Sequence, residues 1–188
     1  LLVDGLGTDA ICVDPSYTRE YDENINGRHL SFRREVHDAA ADLLLFMDVL
    51  EHIEDDASLL RQYVAAAPVG SHVLISVPAF GFLWSGHDIF LGHYRRYTLP
   101  QVNALAKQAN LNVVRSSYYF AGVFPVALAT RLMSRLIGPH KDFSRSQLRR
   151  HHPVVNTMLW MVCKVELPLL LYNRMFGLTV FCLAKKSS

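Results

Sequence analysis

Residues 42–78 read DLLLFMDVLEHIEDDASLLRQYVAAAPVGSHVLISVP, and this stretch decides the fold. Residues 43–46 form a short apolar run suited to a buried strand. Residues 73–77 form a second such run, richer in β-branched side chains. Between them Leu59, Leu60, Tyr63 and Val64 fall on one helical face, as expected of a crossover helix packed on a parallel sheet. An acidic turn opens the helix, and a turn holding Pro68 and Gly70 closes it. Asp48, Glu51 and His52 cluster just past the carboxyl end of the first strand, where open α/β sheets place their ligands.

Working outward, Ala10 to Val13 reads as another strand, ended by Asp14-Pro15-Ser16. Residues 17–27 are polar and read as a short helix and turn, and residues 29–34 as a weak strand. Residues 78–98, PAFGFLWSGHDIFLGHYRRYT, form a long aromatic and charged loop. Loops of about 20 residues in compact domains are usually lids or binding segments. Residues 99–110 follow as a helix with Pro100 in its first turn, where proline is tolerated. Residues 111–118 make a strand, and residues 177–185 a final one leading into a basic tail.

A chain of 188 residues supports a single core, and the expectation is one domain over 1–188. A net charge of +2 supplies no field for nucleic acid. Cys12, Cys163 and Cys182 lie in apolar surroundings without metal-binding spacing, which fits packing in a reducing compartment. The chain starts with Leu1 and shows no signal peptide, so an incomplete N-terminus is expected, with residues 1–8 as the tail of a first helix. The expected location is cytoplasmic, peripheral at the inner face of the membrane.

The string DLLLFMDVLEHIEDD followed by VLISVP resembles the central segment of class I S-adenosylmethionine-dependent methyltransferases. Within that family it is most similar to the ubiquinone-biosynthesis O-methyltransferase-like branch, over roughly residues 8–118 and 178–184. The resemblance implies a doubly wound, Rossmann-like sheet of seven strands whose last strand runs antiparallel. It also implies S-adenosyl-L-methionine as cofactor, held by Asp14, Pro15, Ser16, Met47, Asp48 and Val49. Asp14 would accept the ribose hydroxyls, since one carboxylate can take both; an Asx-turn leaving the strand is the structural alternative. Glu35 or His37 falls where the family contacts adenine. The family's first strand and Gly-rich loop would lie upstream of Asp14, and Gly5 and Gly7 are too close to serve.

The i, i+3, i+4 spacing of Asp48, Glu51 and His52 puts all three on one face if the segment begins a helical turn. Two carboxylates and an imidazole are suitable ligands for Mg²⁺, Mn²⁺ or Zn²⁺. Some metal-dependent relatives, including small-RNA 2′-O-methyltransferases, carry a similar cluster with a later His before an aromatic-basic-Thr stretch. His93 in HYRRYT (93–98) occupies that place, so the expected metal set is Asp48, Glu51, His52 and His93, with Asp48 shorter than the Glu found in those relatives. A metal-free cofactor or substrate wall, or an acidic helix start with His52 beneath the loop, are the alternatives.

Methyl transfer needs an acceptor held in line with the sulfonium methyl and relieved of a proton. His93 is the preferred base, then His87, with His52 in the same cluster; His87 and Asp88 cannot face each other as chain neighbours. Trp84, Arg95, Arg96 and Tyr97 are candidate acceptor contacts, although either arginine can instead pair with Glu51 or Glu54.

Residues 118–137 and 153–176 read as apolar helical stretches around a basic linker with Arg145, Arg149 and Arg150. Pro125 and Arg131 interrupt the first; Lys164, Glu166 and Pro168 interrupt the second, so neither is a clean transmembrane helix. An insert over 119–176 is expected, lying on a membrane surface, lining a greasy acceptor pocket, or packing as a hairpin on the sheet or a second subunit. The expected activity is O-methylation of a small or lipid-like acceptor; the alternative is a non-catalytic, membrane-associated module of the same fold. An intact Gly-rich loop upstream would favour the enzyme.

Overall fold

The structure is a computed structural model that describes residues 8–36, 40–137 and 153–187. The residues up to Ala40 form one compact unit and those from Ala41 onward a second.

In the first unit β1 (Ala10–Val13) pairs in parallel with β3 (Arg28–Arg33), and β2 (Tyr21–Ile25) pairs antiparallel with β3. The expectation of a helix over residues 17–27 is corrected here. Asn26 and Gly27 both sit at positive φ, 52° and 77°, which is the backbone of a two-residue hairpin turn. Tyr21 stacks on Phe32 at 4.4 Å, and Arg33 Nη2 bonds Asp22 Oδ1 at 2.7 Å, so β2 is held from both faces. The amide of Asp14 donates to the Arg33 carbonyl at 3.0 Å, which carries the β1–β3 pairing to the end of the strand. Gly5, Gly7 and His37 lie outside the described residues.

The second unit is built on a four-stranded sheet in the order β4-β5-β7-β6. β4 (Leu43–Met47) and β5 (His72–Pro78) are parallel and joined through α1 (Asp56–Ala66), the crossover read from the sequence. Asp55 caps α1 by accepting from the Ser58 amide at 3.0 Å. Leu60 and Val64 are buried beneath it, with Leu59 and Tyr63 half-buried. β6 (Leu111–Tyr119) and β7 (Thr179–Lys186) complete the sheet, with β7 antiparallel to both neighbours, as the resemblance implies. β4 is buried on one face only: Leu44 and Phe46 point inward, while Leu43, Leu45 and Met47 stay exposed.

Residues 79–98 are more ordered than a loop. A 3-10 turn (Gly81–Leu83) precedes α2 (Gly86–Leu91), whose start is a capping box between Ser85 and Asp88 and whose end is Gly92 at φ 71°. α3 (Leu99–Gln108) then packs on the sheet with Val102 and Ala106 fully buried. Beyond β6, α4 (Phe124–Ile137) and α5 (Pro153–Glu166) replace the two longer stretches expected, and a 3-10 turn (Leu167–Leu169) ends the second. β6 runs through Tyr119 because Tyr118 and Tyr119 register with Val180 and Thr179. Arg145, Arg149 and Arg150 lie outside the described residues.

Candidate active site

The chain leaves β4 through Asp48, which takes φ 52°, a left-handed conformation that aspartate tolerates better than most residues. The Asp48 amide donates to the Ser76 carbonyl at 3.0 Å, and Ser76 Oγ donates to Asp48 Oδ1 at 3.2 Å. A 3-10 turn (Leu50–His52) follows. The one-face helical spacing therefore holds only for its second part. Asp48 is turned back onto β5, while Glu51 is driven into the interior at 1% exposure and His52 stays exposed.

The segment from residue 93 to 98 returns over this turn. Tyr94 donates its amide to the Glu51 carbonyl at 2.7 Å; across the end of β5 the Phe80 amide donates to the Tyr97 carbonyl at 2.8 Å and the Tyr97 amide to the Pro78 carbonyl at 2.9 Å. That return brings His93 onto His52, with ring centroids 4.6 Å apart and planes nearly perpendicular. Ligand atoms of Glu51, His52 and His93 all lie within 4.8 Å of one another. Three of the four residues expected to share a cation are thus gathered, and the carboxylate of Asp48 is held by Ser76 instead.

Asp88 organises the other side. It is fully buried, and its carboxylate accepts from the Ser85 amide at 2.8 Å and from Arg96 Nε at 2.6 Å and Nη2 at 3.2 Å. His93 Nδ1 lies 3.1 Å from Asp88 Oδ1. Burial pushes the Asp88 carboxyl up, but Arg96, the Ser85 amide and His93 outweigh it and hold it below the usual carboxylate range. An ionised carboxylate only accepts, so Nδ1 of His93 carries the proton and Nε2 keeps its lone pair. Burial also lowers the His93 pKa, with His52 adding to the effect against Asp88. The ring is therefore a neutral, oriented imidazole near pH 7. The Asp88 partnership went unread in the sequence, although Ser85-x-x-Asp88 has capping-box spacing and Gly92 marks the turn that folds His93 back.

Glu51 Oε2 is buried with no hydrogen-bond partner among the described residues. Burial pushes its carboxyl up to about 7, and the nearby charges of Asp48 and Asp88 push the same way while Arg96 opposes. A buried carboxylate with an unmet oxygen beside two imidazoles is the chemistry of a cation or proton site.

The other candidates fall elsewhere. Arg96 is committed to Asp88 and to the Ala79 carbonyl, 3.1 Å from Nη1. Arg95 pairs with Asp56 at 3.2 Å, and the Tyr97 hydroxyl donates to Asp56 at 2.7 Å. These contacts hold the loop to α1 and α2. Trp84 closes the 3-10 turn half-buried, and His87 sits in the first turn of α2 with its Nδ1 buried and unpartnered among the described residues. Met47 and Val49 are exposed beside Asp48. In the first unit Asp14 Oδ1 accepts the Ser16 amide at 2.8 Å, the Asx-turn named as the alternative, and the Ser16 side chain together with this amide holds its pKa low. Pro15 forms that turn.

Several solved structures similar to this chain are methyltransferases by description. One is a Galdieria sulphuraria protein described as a sarcosine dimethylglycine methyltransferase: TM-score 0.56, 14% identity, 99% of this chain and 72% of that one. Another is the Haloferax volcanii methyltransferase solved with the activator Trm112: TM-score 0.55, 14% identity, 100% of this chain and 76% of that one. A Bacillus halodurans methyltransferase matches at TM-score 0.50 and 10% identity over 87% and 74%. No protein-family model matches the chain, and no curated protein does. The fold is the Rossmann-like methyltransferase fold.

Proposed function

We propose that the chain is an S-adenosyl-L-methionine-dependent methyltransferase that methylates oxygen on a small or lipid-like acceptor. The observation that carries the reading is the Asp88–His93 pair beside buried Glu51 and exposed His52, past the carboxyl end of β4. Ligands of open α/β sheets bind at such ends. In this reading Asp14 accepts the ribose hydroxyls, its carboxylate pre-oriented by the Ser16 amide. His93, with its proton fixed on Nδ1 by Asp88, would take the acceptor's proton at Nε2, and S-adenosyl-L-methionine, when bound, would supply the methyl group.

Glu51, His52 and His93 also fit a divalent cation (Mg²⁺, Mn²⁺ or Zn²⁺): one unmet carboxylate oxygen and two imidazoles, one braced through its other nitrogen by a carboxylate. Such a cation, when bound, lowers the acceptor hydroxyl's pKa and orients it. With a cation present His93 is a ligand, and without one it is the base.

The test is methyl transfer to a panel of phenolic and lipid alcohols. His93→Ala should cut turnover by about 10²–10⁴ while S-adenosylmethionine affinity holds. Equal turnover of variant and wild type would remove His93 from the mechanism. A chelator that abolishes turnover, with rescue by one of the three cations, assigns His93 as ligand.

A further inference from the structure

The helices beyond β6 present an apolar surface that no described residue covers. α5 touches the rest of its unit through one narrow stripe: Leu159 and Cys163 are half-buried and Glu166 is buried, while every other described position from Val154 to Val165 is exposed. The exposed set is greasy: Trp160 is 60% exposed, Val165 71%, and beyond the helix Tyr172 reaches 77% and Met175 79%. α4 adds Val126, Leu132 and Met133. A helix apolar nearly all round is ordinarily enclosed by protein or lipid. A cleft of about 450 Å³ between Ala121, Gly122, Met161, Val162, Val165 and Leu169, with Glu166 also in its lining, opens in the same region and is mostly apolar.

The charges say what the cover is. Over α4, α5 and residues 167–176 the cations are Arg131, Arg135, Lys164 and Arg174, and the sole acid is Glu166. That acid faces inward, accepting from the amides of Ala121 at 2.7 Å and Gly122 at 3.2 Å. Arg131 is half-buried and Arg135 donates to the Phe82 carbonyl at 2.6 Å, so the outward apolar surface carries Lys164 and Arg174 as its cations. Lys164 Nζ lies over the Trp160 ring, 5.3 Å from its centroid, the pairing of an amphipathic aromatic with a cation found at headgroup depth. A second copy packed on this face by two-fold symmetry would set cations near cations with no outward acid to answer them. No described helix is long and apolar enough to cross a membrane, so the face would lie on a bilayer and not through it.

We propose that α4, α5 and residues 167–176 form a docking face for an anionic lipid leaflet, with Trp160 and Tyr172 at headgroup depth and Lys164 and Arg174 on the lipid phosphates. The face is independent of methyl transfer, and its test needs no activity. The protein is sedimented with vesicles of phosphatidylcholine alone and of phosphatidylcholine mixed with phosphatidylglycerol, at low and high salt. Wild type should pellet with the anionic vesicles at low salt and be released by high salt. Lys164→Gln with Arg174→Gln should lower the partition about 30-fold, the effect of two cations at about 1 kcal/mol each. Val165→Glu, at an exposed position, should release the protein as well, with an unchanged circular-dichroism melt showing that the fold persists. Failure to pellet at low salt, or wild-type pelleting by either variant, overturns the proposal. So does a vesicle-free dimer that Val165→Glu dissociates, since the face would then cover itself.

Discussion

At Glu51 the sequence and the interior conflict. The residue follows an apolar strand and a tight turn, and the turn buries it with one oxygen unmet. Its folded pKa, about 7, lies above its ordinary 4.5, so folding favours the neutral acid. The resulting stability is fully present below pH 4.5 and is lost as pH rises through about 7. Above that the buried charge costs on the order of 3 kcal/mol. Glu51→Gln should therefore melt higher than wild type at pH 8, with the gap closing towards pH 4.5, when both are scanned by calorimetry. A gap independent of pH would contradict the burial argument. A divalent cation should raise the wild-type melting temperature at pH 8 and leave Glu51→Gln unmoved, because binding to the folded state alone stabilises it. Asp88 presents the opposite case, a buried charge fully answered. Asp88→Asn strands Arg96, and urea unfolding should report a loss of about 3–5 kcal/mol. A loss below 1 kcal/mol would show that Arg96 finds another partner.

Elements whose residues serve one purpose were legible. The β4-α1-β5 crossover was read from two apolar runs and a 3.6-residue stripe, and its boundaries hold closely. β2 was misread because its residues, YDENI, are mostly polar and exposed, so no alternation marks them. Asn26-Gly27 was the available sign, and the hairpin turns there. Residues 78–98 were read as a loop because their aromatics and charges follow no period. The order comes from capping at Ser85 and Gly92 and from long-range ties. Tyr97 is the clearest of these, a buried hydroxyl bonded to Asp56 across 41 residues. Tyr97→Phe should destabilise the protein by about 1–3 kcal/mol in denaturant unfolding, the cost of leaving that carboxylate without its donor. No change would mean that Arg95 alone satisfies Asp56. At the candidate site the sequence placed Glu51, His52 and His93 together, but not the left-handed turn at Asp48 or the Asp88–His93 bond, which depend on how the chain returns over β5.

For the whole molecule, the antiparallel run of β7 was implied only by the family resemblance, and its place between β5 and β6 was not read at all, since no local pattern reports which strands a late strand joins. The fold likewise leaves the chemistry open, because one fold hosts many activities. The account rests on the cofactor, and calorimetric titration of S-adenosyl-L-methionine into the protein tests it most directly. The account predicts saturable binding at one site, weakened about tenfold or more by Asp14→Ala through loss of charged hydrogen bonds to the ribose. Absence of binding to the wild type, or an affinity that Asp14→Ala leaves unchanged, would contradict it.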